Sequence, residues 1–278
     1  MRKSLAAVLE VTAVTAFALV AYKALKLVEP SGLNCAPGLV MIAATAVALA
    51  LVRPSERPRY GVLVPSWRAG FSFGALAGAA ILPVWWIEVR ASRAVSLLPS
   101  ATPALSLLVL AAALAFSRRR FDERAEKATG QTWAALLVAG VLAAVAATGL
   151  ASGVPPSSVL ATIAWRFLFT GFGEELFFRG YIQSRLNVAI GRPFRWLGAD
   201  MGPGLFVSAF LFGVVHLFNP MLLFHGRWEV SWSWGASAFL SGLVYGYCRE
   251  KSGSVWAGAV LHGIAGAYSG VISAIQSA

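Results

Sequence analysis

Long apolar runs separated by short polar loops are the feature that most restricts what this chain can fold into. A bilayer core about 30 Å thick needs about 20 mostly apolar residues for each helical crossing, and runs of about that length recur along the whole sequence. Charged residues make up only 13% of the 278 residues, whereas a soluble domain carries about 25%. The sequence therefore predicts an all-α, polytopic transmembrane bundle of about eight or nine helices.

The candidate spans follow the apolar runs and leave little of the chain for a soluble domain. They are Ser4–Tyr22, Cys35–Val52, Ala69–Ile87, Thr102–Phe116, Trp133–Leu150, Val159–Ile190, Gly204–Phe218, Trp234–Tyr247 and Val255–Ile275. The first run follows Met1-Arg2-Lys3, as a signal peptide would. Because no clear A-x-A cleavage site precedes Lys23, we expect a retained helix.

Basic residues account for the formal net charge of +11, and they lie between the apolar runs rather than on one basic face. If the amino terminus is cytoplasmic, most of them fall in inner loops, as in the tract Arg118-Arg119-Arg120. This is the positive-inside pattern, so the charge indicates orientation and contact with anionic lipid headgroups. We predict a multi-pass protein of the cell membrane with a cytoplasmic amino terminus, membrane lipids as partners and no nucleic acid.

The first half of the chain, residues 1–157, is predicted to be a scaffold of transmembrane helices. Gly70, Gly74 and Gly78 are spaced four apart, a pattern that lets helices pack closely in lipid. Glu10 lies inside the first span, where pairing or snorkelling is the simple explanation. None of these features requires a catalytic role.

The second half, residues 158–278, differs because ionisable and amide side chains occur within or just beyond its apolar runs. They are Glu174, Glu175, Arg179, His216, His262 and Asn219. Buried charge in lipid costs several kcal/mol, so such residues usually face a cavity, pair with one another and mark function. We therefore place a catalytic cavity within the membrane in this half. His225, in a polar loop with Trp228, is expected to be interfacial.

Two adjacent glutamates are expected to have different environments. Glu175 and Arg179 are one helical turn apart and can form a salt bridge. Glu174 points about 100° away around the helix, without a local cation, and can face an internal cavity. A carboxylate in such a place suits a general base that acts on water when a histidine shares the proton.

The depth of the polar residues predicts the length of the helix that carries the glutamates. At 1.5 Å per residue, Glu174 lies about 25 Å from the inner end only if the helix continues to about Gly191. His216 and His262 then fall in the same layer of the membrane to within about two turns. We predict one long helix, with Arg179 and Arg185 buried in protein or snorkelling.

Together these motifs resemble those of the CAAX-prenyl-protease and bacteriocin-processing family of intramembrane glutamic endopeptidases. The pattern EExxxR is matched by Glu174, Glu175 and Arg179, the pattern FxxxH by Phe212 and His216, and the histidine of the last motif by His262. The resemblance extends from about Val159 to the carboxyl terminus. It implies a hydrolase that cleaves a membrane-associated protein or peptide near its carboxyl terminus or in a membrane-proximal segment.

The resemblance also implies a role for each matched residue. Glu174 and His216 would activate a water that attacks the scissile carbonyl, and His262 would help to stabilise the oxyanion. Glu175 and Arg179 would be chiefly structural. No cofactor is expected.

One position departs from the family pattern, because Gly266 stands where the family has a final asparagine. Oxyanion stabilisation is therefore incomplete on this helix. Asn219 follows His216 by three residues, so its amide is a candidate substitute if the helix extends past Phe218. An ordinary helix stop at Asn219-Pro220 is the alternative.

Other classes of site are less compatible with the sequence. An HExxH zinc motif is absent. An aspartyl dyad within the spans is excluded, because the only aspartates, Asp122 and Asp200, lie in loops. A serine site with a GxSG turn is not matched, because the tract Ala267-Tyr268-Ser269-Gly270 lacks the first glycine. Zinc held by Glu174, His216 and His262 remains chemically plausible. A non-catalytic immunity or scaffold protein and a proton-coupled transporter are the alternative functions.

Overall fold

The computed structural model describes residues 2–29, 35–62, 67–92 and 131–277, which form an all-α helical membrane bundle with one short β-hairpin. The helices are α1 (Arg2–Leu25), α2 (Ala36–Leu51), α3 (Trp67–Ser92), α4 (Gln131–Ala151), α5 (Pro156–Trp165), α6 (Ser184–Ile190), α7 (Pro203–Leu217), α8 (Trp232–Ser252) and α9 (Val255–Ser277). Short 3₁₀ helices span Pro54–Tyr60 and Leu223–His225. Strands β1 (Phe194–Trp196) and β2 (Ala199–Met201) pair in antiparallel register between α6 and α7.

Each predicted span within the described residues falls on a helix, and the ends differ by at most five residues. The remaining span, Thr102–Phe116, and the basic tract after it lie outside the described residues. Among the helices described, Lys3–Leu25, Thr132–Ala151 and Val255–Gln276 are long and apolar enough to cross a bilayer, and Ala36–Leu51 and Pro203–Leu217 are shorter apolar helices. The chain is therefore a membrane protein, as the sequence predicts. No described feature tests its orientation.

The predicted long helix is confirmed. Two π-helical segments, Arg166–Gly173 and Leu176–Gln183, join α5 to α6, and the backbone keeps right-handed helical angles at the junctions Arg166, Glu174 and Ser184. Residues 156–190 thus form one continuous helix, called the long helix below. It ends at Gly191, whose φ of 94° is open to glycine but strained for other residues. Wide π-turns are frequent at functional sites.

Small residues bring α3 against α9, as the spacing of the three glycines predicts. A Cβ at Gly70 would lie 2.8 Å from Cβ of Ser254, one at Gly74 would lie 2.5 Å from the Ala257 carbonyl oxygen, and one at Gly78 would lie 2.8 Å from Cδ1 of Ile264. These contacts place α9 beside α3 at close range.

Replacing the middle glycine should destabilise the bundle. We expect Gly74→Ala to cost about 1–3 kcal/mol, because the added methyl group meets a backbone carbonyl that cannot rotate away. Gly140→Ala on α4 is the matched control, since a Cβ there meets nothing within 4 Å. Thermal unfolding of the two purified variants checks this prediction. Equal midpoints would mean that α3 does not pack on α9 through Gly74.

Polar contacts fix α1 and α8 to the carboxyl-terminal half of the long helix. Glu10 of α1 forms a salt bridge of 2.7 Å with Arg185, and its Oε1 accepts a 2.8 Å hydrogen bond from the Tyr181 hydroxyl. The pairing expected for Glu10 is therefore confirmed. On α8, Glu250 accepts hydrogen bonds from Gln183 at 2.7 Å and from Arg192 at 2.8 Å.

Candidate active site

Three helices bring the side chains of Glu174, His216 and His262 together. Glu174 lies between the two π-helical segments of the long helix, His216 in the last turn of α7, and His262 near the middle of α9. Glu174 Oε2 lies 3.7 Å from His216 Nε2 and 3.9 Å from His262 Nε2. The shared layer that the depth argument predicts is therefore present.

Glycines allow α9 to approach the long helix next to this group. A Cβ at Gly171 would lie 2.5 Å from Cα of Gly263, the residue that follows His262. On the other side of the long helix, a Cβ at Gly173 would lie 2.8 Å from Cα of Gly38 in α2. Glu174 is thus held between closely packed backbones, and only 6% of its surface is exposed.

The tautomer of His216 follows from its hydrogen bond within α7. Nδ1 lies 2.9 Å from the carbonyl oxygen of Phe212. Because a carbonyl can only accept, Nδ1 carries the hydrogen, and the neutral ring presents its Nε2 lone pair to Glu174. His216 is therefore arranged to accept a proton at Nε2.

His262 is held in the same tautomer by a carboxylate. Its Nδ1 lies 3.0 Å from Glu175 Oε1, so Nδ1 donates and Nε2 faces Glu174. The imidazole stacks on the Tyr245 ring with centroids 4.7 Å apart and planes 17° apart. The Glu175 carboxylate and the Tyr245 ring thus fix the orientation in which His262 Nε2 faces Glu174.

The carboxylate of Glu174 is buried, and its Oε2 has no hydrogen-bond partner among the described residues. The distances of 3.7 and 3.9 Å to the two imidazoles are too long for direct hydrogen bonds. They suit a water molecule that bonds to the carboxylate and to an imidazole at once. A carboxylate and an Nε2 lone pair that share a water can polarise it toward hydroxide.

Glu175 and Arg179 form the predicted salt bridge, at 2.8 Å, with neither side chain exposed. Arg179 also donates to the Gly242 carbonyl oxygen at 3.0 Å, and its guanidinium lies 4.6 Å from the Phe212 ring centroid. Gly258 leaves room for the carboxylate, because a Cβ there would lie 2.6 Å from Glu175 Oε2. The sequence did not predict that Glu175 also orients His262.

The comparisons with known proteins identify the segment that holds these residues. Residues 155–268 match the model of the family described as type II CAAX prenyl endopeptidase, Rce1-like. This segment is called the Rce1-like domain below, after the family model that it matches. The match agrees with the resemblance that the sequence motifs indicate, and the family that it matches is one of proteases. No curated protein and no solved structure matches the chain.

The Rce1-like domain packs the position of the missing asparagine against its own long helix. A Cβ at Gly266 would lie 3.3 Å from the carbonyl oxygen of Arg166 and 3.5 Å from its Cβ. A side chain at 266 therefore needs the long helix to move by a few tenths of an ångström. In this chain, glycine at position 266 lets α9 pack closely against the long helix.

Asn219 lies beside the site, but not as the sequence argument required. Helix α7 ends at Leu217, and the backbone N–H of Asn219 donates to the backbone carbonyl oxygen of His216 in a turn. The condition that the helix extends past Phe218 is therefore not met, and the chain turns before Pro220, as the alternative of an ordinary helix stop predicts. The Asn219 side chain instead accepts a 3.1 Å hydrogen bond from the Tyr22 hydroxyl of α1. Sequence reasoning missed Tyr22, since no motif marks it.

The residues of the Rce1-like domain that could offer ligands to a metal are Glu174, His216 and His262. Ligand atoms of a tetrahedral zinc ion, at about 2.0–2.2 Å from the metal, lie about 3.4 Å apart. Glu174 Oε2 lies 3.7 Å from His216 Nε2 and 3.9 Å from His262 Nε2, and both distances are longer than this. Within the described part of the chain, no group of three or more His, Cys, Asp or Glu side chains is arranged to hold a metal.

His225 is exposed in the 3₁₀ turn between α7 and α8, outside the group formed by the other two histidines. Trp228 in the same loop is 72% exposed. The loop placement that the sequence predicts for His225 is therefore present.

Proposed function

We propose that the protein is an intramembrane endopeptidase in which Glu174 and His216 activate a water molecule. The substrate is a membrane-associated protein or peptide, cleaved near its carboxyl terminus or in a membrane-proximal segment. The observation that carries the proposal is the buried, unpartnered Glu174 Oε2, which faces the Nε2 atoms of two histidines whose Nδ1 atoms are engaged elsewhere.

The reaction begins with a water bonded to Glu174 and to His216 Nε2. Glu174 takes a proton as the water oxygen attacks the scissile carbonyl carbon, and the carbonyl oxygen becomes an oxyanion. The proton is then delivered to the amide nitrogen as the carbon–nitrogen bond breaks. The products are a new carboxyl group and a free amine, so atoms and charge balance.

His262 stabilises the oxyanion in this proposal. Donation requires a hydrogen on Nε2, and the Glu175 carboxylate at Nδ1 holds the ring so that Nε2 faces the site. Arg179 in turn holds Glu175 in place. Only 7% of the surface of His262 is exposed, and electrostatic stabilisation is larger in a site that excludes water.

A non-catalytic scaffold of the same fold is the second candidate, and the absence of the family asparagine at Gly266 favours it. The two readings differ in whether a peptide bond is broken. The test is incubation of the purified protein in liposomes with internally quenched peptides, one ending in a farnesylated CaaX sequence and one in an unmodified transmembrane tail. Cleavage of either supports the endopeptidase, and no cleavage of either by folded protein supports the scaffold.

Activity is expected to be independent of added metal, because Glu174 and His216 suffice to polarise water and Glu175 is occupied by Arg179 and His262. Peptide cleavage should therefore stay within about twofold of the untreated rate after incubation with 1,10-phenanthroline. The non-chelating isomer 1,7-phenanthroline is the control. Loss of activity with the chelator and recovery with zinc would contradict this prediction.

A further inference from the structure

We propose that helix α1, which lies outside the Rce1-like domain, completes the active site. Tyr22 is a positioning residue that holds the Asn219 side chain so that its NH₂ group donates to the oxyanion. This inference rests on the proposed function. It supplies the donor that is missing at Gly266.

The contact between Tyr22 and Asn219 joins residues that are far apart in the sequence. The Tyr22 hydroxyl donates to Asn219 Oδ1 at 3.1 Å, across 197 positions of the chain. Tyr22 is only 2% exposed, although it lies in the last turn of a helix near the end of the bundle. A buried tyrosine normally has its hydroxyl engaged, and here the partner is a side chain three residues beyond His216.

This hydrogen bond decides which end of the Asn219 amide is available. Because Oδ1 faces Tyr22, the NH₂ group points away from it, and no described residue accepts from that group. Asn219 is half-buried rather than exposed. Its two N–H bonds are therefore open to a ligand and held in one orientation.

The same tyrosine lies close to the proposed general base. Tyr22 and Glu174 are near enough for their charges to interact, and Glu174 Oε2 is 3.7 Å from His216 Nε2. Tyr22 thus interacts both with Glu174 and with the turn that follows His216. Asn219 follows His216 by three residues, so in this proposal its NH₂ group reaches the same site.

Lys23 holds the backbone of that turn. Its Nζ donates to the carbonyl oxygens of Asn219 at 2.9 Å and Met221 at 2.7 Å, and the side chain is 6% exposed. About three turns earlier along α1, Glu10 is fixed to Arg185 of the long helix. Two attachment points therefore set where α1 places the Tyr22 hydroxyl relative to Glu174.

The decisive variant is Tyr22→Phe, which removes only the hydroxyl. Loss of an oxyanion donor costs about 100- to 1000-fold in turnover, so Asn219→Ala should lower kcat by that factor. Tyr22→Phe leaves the amide present but free to rotate, and we expect kcat to fall about 10- to 100-fold with KM unchanged. Tyr22→Phe in the Asn219→Ala background should cause no further loss, because the tyrosine acts through the asparagine.

The matched control is Tyr181→Phe. It removes a buried hydroxyl that also joins α1 to the long helix, through Glu10 at 2.8 Å, but outside the proposed site. It should leave kcat unchanged. Each variant is measured by kinetics with the cleaved quenched peptide and by thermal unfolding. A positioning role lowers kcat in Tyr22→Phe alone. A loss of stability would instead lower the unfolding midpoint of both tyrosine variants.

Wild-type kcat in Tyr22→Phe, or losses that multiply in the double variant, would overturn the inference. Glu174→Gln is measured in parallel. An inactive Glu174→Gln with a fully active Tyr22→Phe removes only the role of α1, whereas an active Glu174→Gln removes the proposed function itself.

Discussion

The Glu174→Gln variant is expected to be folded and membrane-inserted, with proteolytic activity reduced by at least about 100- to 10,000-fold, the range that a general base contributes. Glutamine is nearly isosteric with glutamate but cannot take a proton from water. Its NH₂ group can face the Nε2 lone pairs of His216 and His262, so the packing of the site should persist. The measurement is the initial rate of cleavage of a quenched peptide by purified protein in liposomes.

Glu229→Gln is the matched control for this variant. Glu229 pairs with Arg227 at 2.5 Å, and its side chain is 54% exposed in the loop between α7 and α8. The same change of charge there should leave both activity and stability unchanged. Equal rates for wild type and Glu174→Gln would remove Glu174 as the general base.

The second large effect is on stability. Glu175→Gln should lower the free energy of unfolding by about 3–5 kcal/mol, because it leaves the Arg179 guanidinium buried without its counter-charge. Both side chains of the pair have no exposed surface. The exposed pair at Glu229 is worth less than about 1 kcal/mol, so Glu229→Gln again serves as the control.

Thermal unfolding of the stability variants can be followed through the labelling of Cys248 by a fluorogenic thiol dye. Cys248 is a free, fully buried cysteine, and Cys35, which is partly exposed, is first replaced by serine. An unchanged midpoint in Glu175→Gln would contradict the role of the buried ion pair.

A double variant separates the ionic role of Glu175 from its contact with His262. Glu175→Gln combined with Arg179→Met removes both charges, and we expect stability to return to within about 1–2 kcal/mol of wild type. Activity should stay low, because His262 Nδ1 no longer meets a carboxylate. Recovery of full activity in the double variant would show that Glu175 has no part in orienting His262.

The long helix and the layer of polar residues could be predicted from the sequence because both depend on local geometry. The rise of 1.5 Å per residue fixes how far Glu174 lies from the end of its helix at Gly191. The distance of four residues between Glu175 and Arg179 fixes that they pair. The presence of ionisable residues in apolar runs marks the half of the chain in which the site lies.

The remaining contacts depend on how helices rotate and which helices are neighbours, which no local pattern encodes. The hydrogen bond between Glu175 and His262 requires a particular rotation of α9 against the long helix, set by the approach of Gly171 to Gly263. The hydrogen bond of Tyr22 with Asn219 requires α1 to lie beside the end of α7. The helix extension on which a role for Asn219 depended does not occur, because the turn at residues 218–220 satisfies the backbone instead.

The division of the chain at residues 157 and 158 stays a prediction. The Rce1-like domain begins at residue 155, but α1 contacts it at Arg185, Tyr181, Asn219 and Met221. If α1 completes the site, the first half of the chain is more than a scaffold. The kinetics of Tyr22→Phe address that point.

The most direct test of the proposed endopeptidase is a comparison of protein carboxyl termini in membranes from cells that carry either the wild-type protein or Glu174→Gln at equal abundance. Mass spectrometry of the carboxyl-terminal peptides gives the cleavage sites and identifies the substrates. We predict a defined set of membrane-associated proteins that lose a carboxyl-terminal or membrane-proximal segment with the wild type and keep it with Glu174→Gln. Identical termini in the two membranes, with both proteins folded and inserted, would contradict the proposed function.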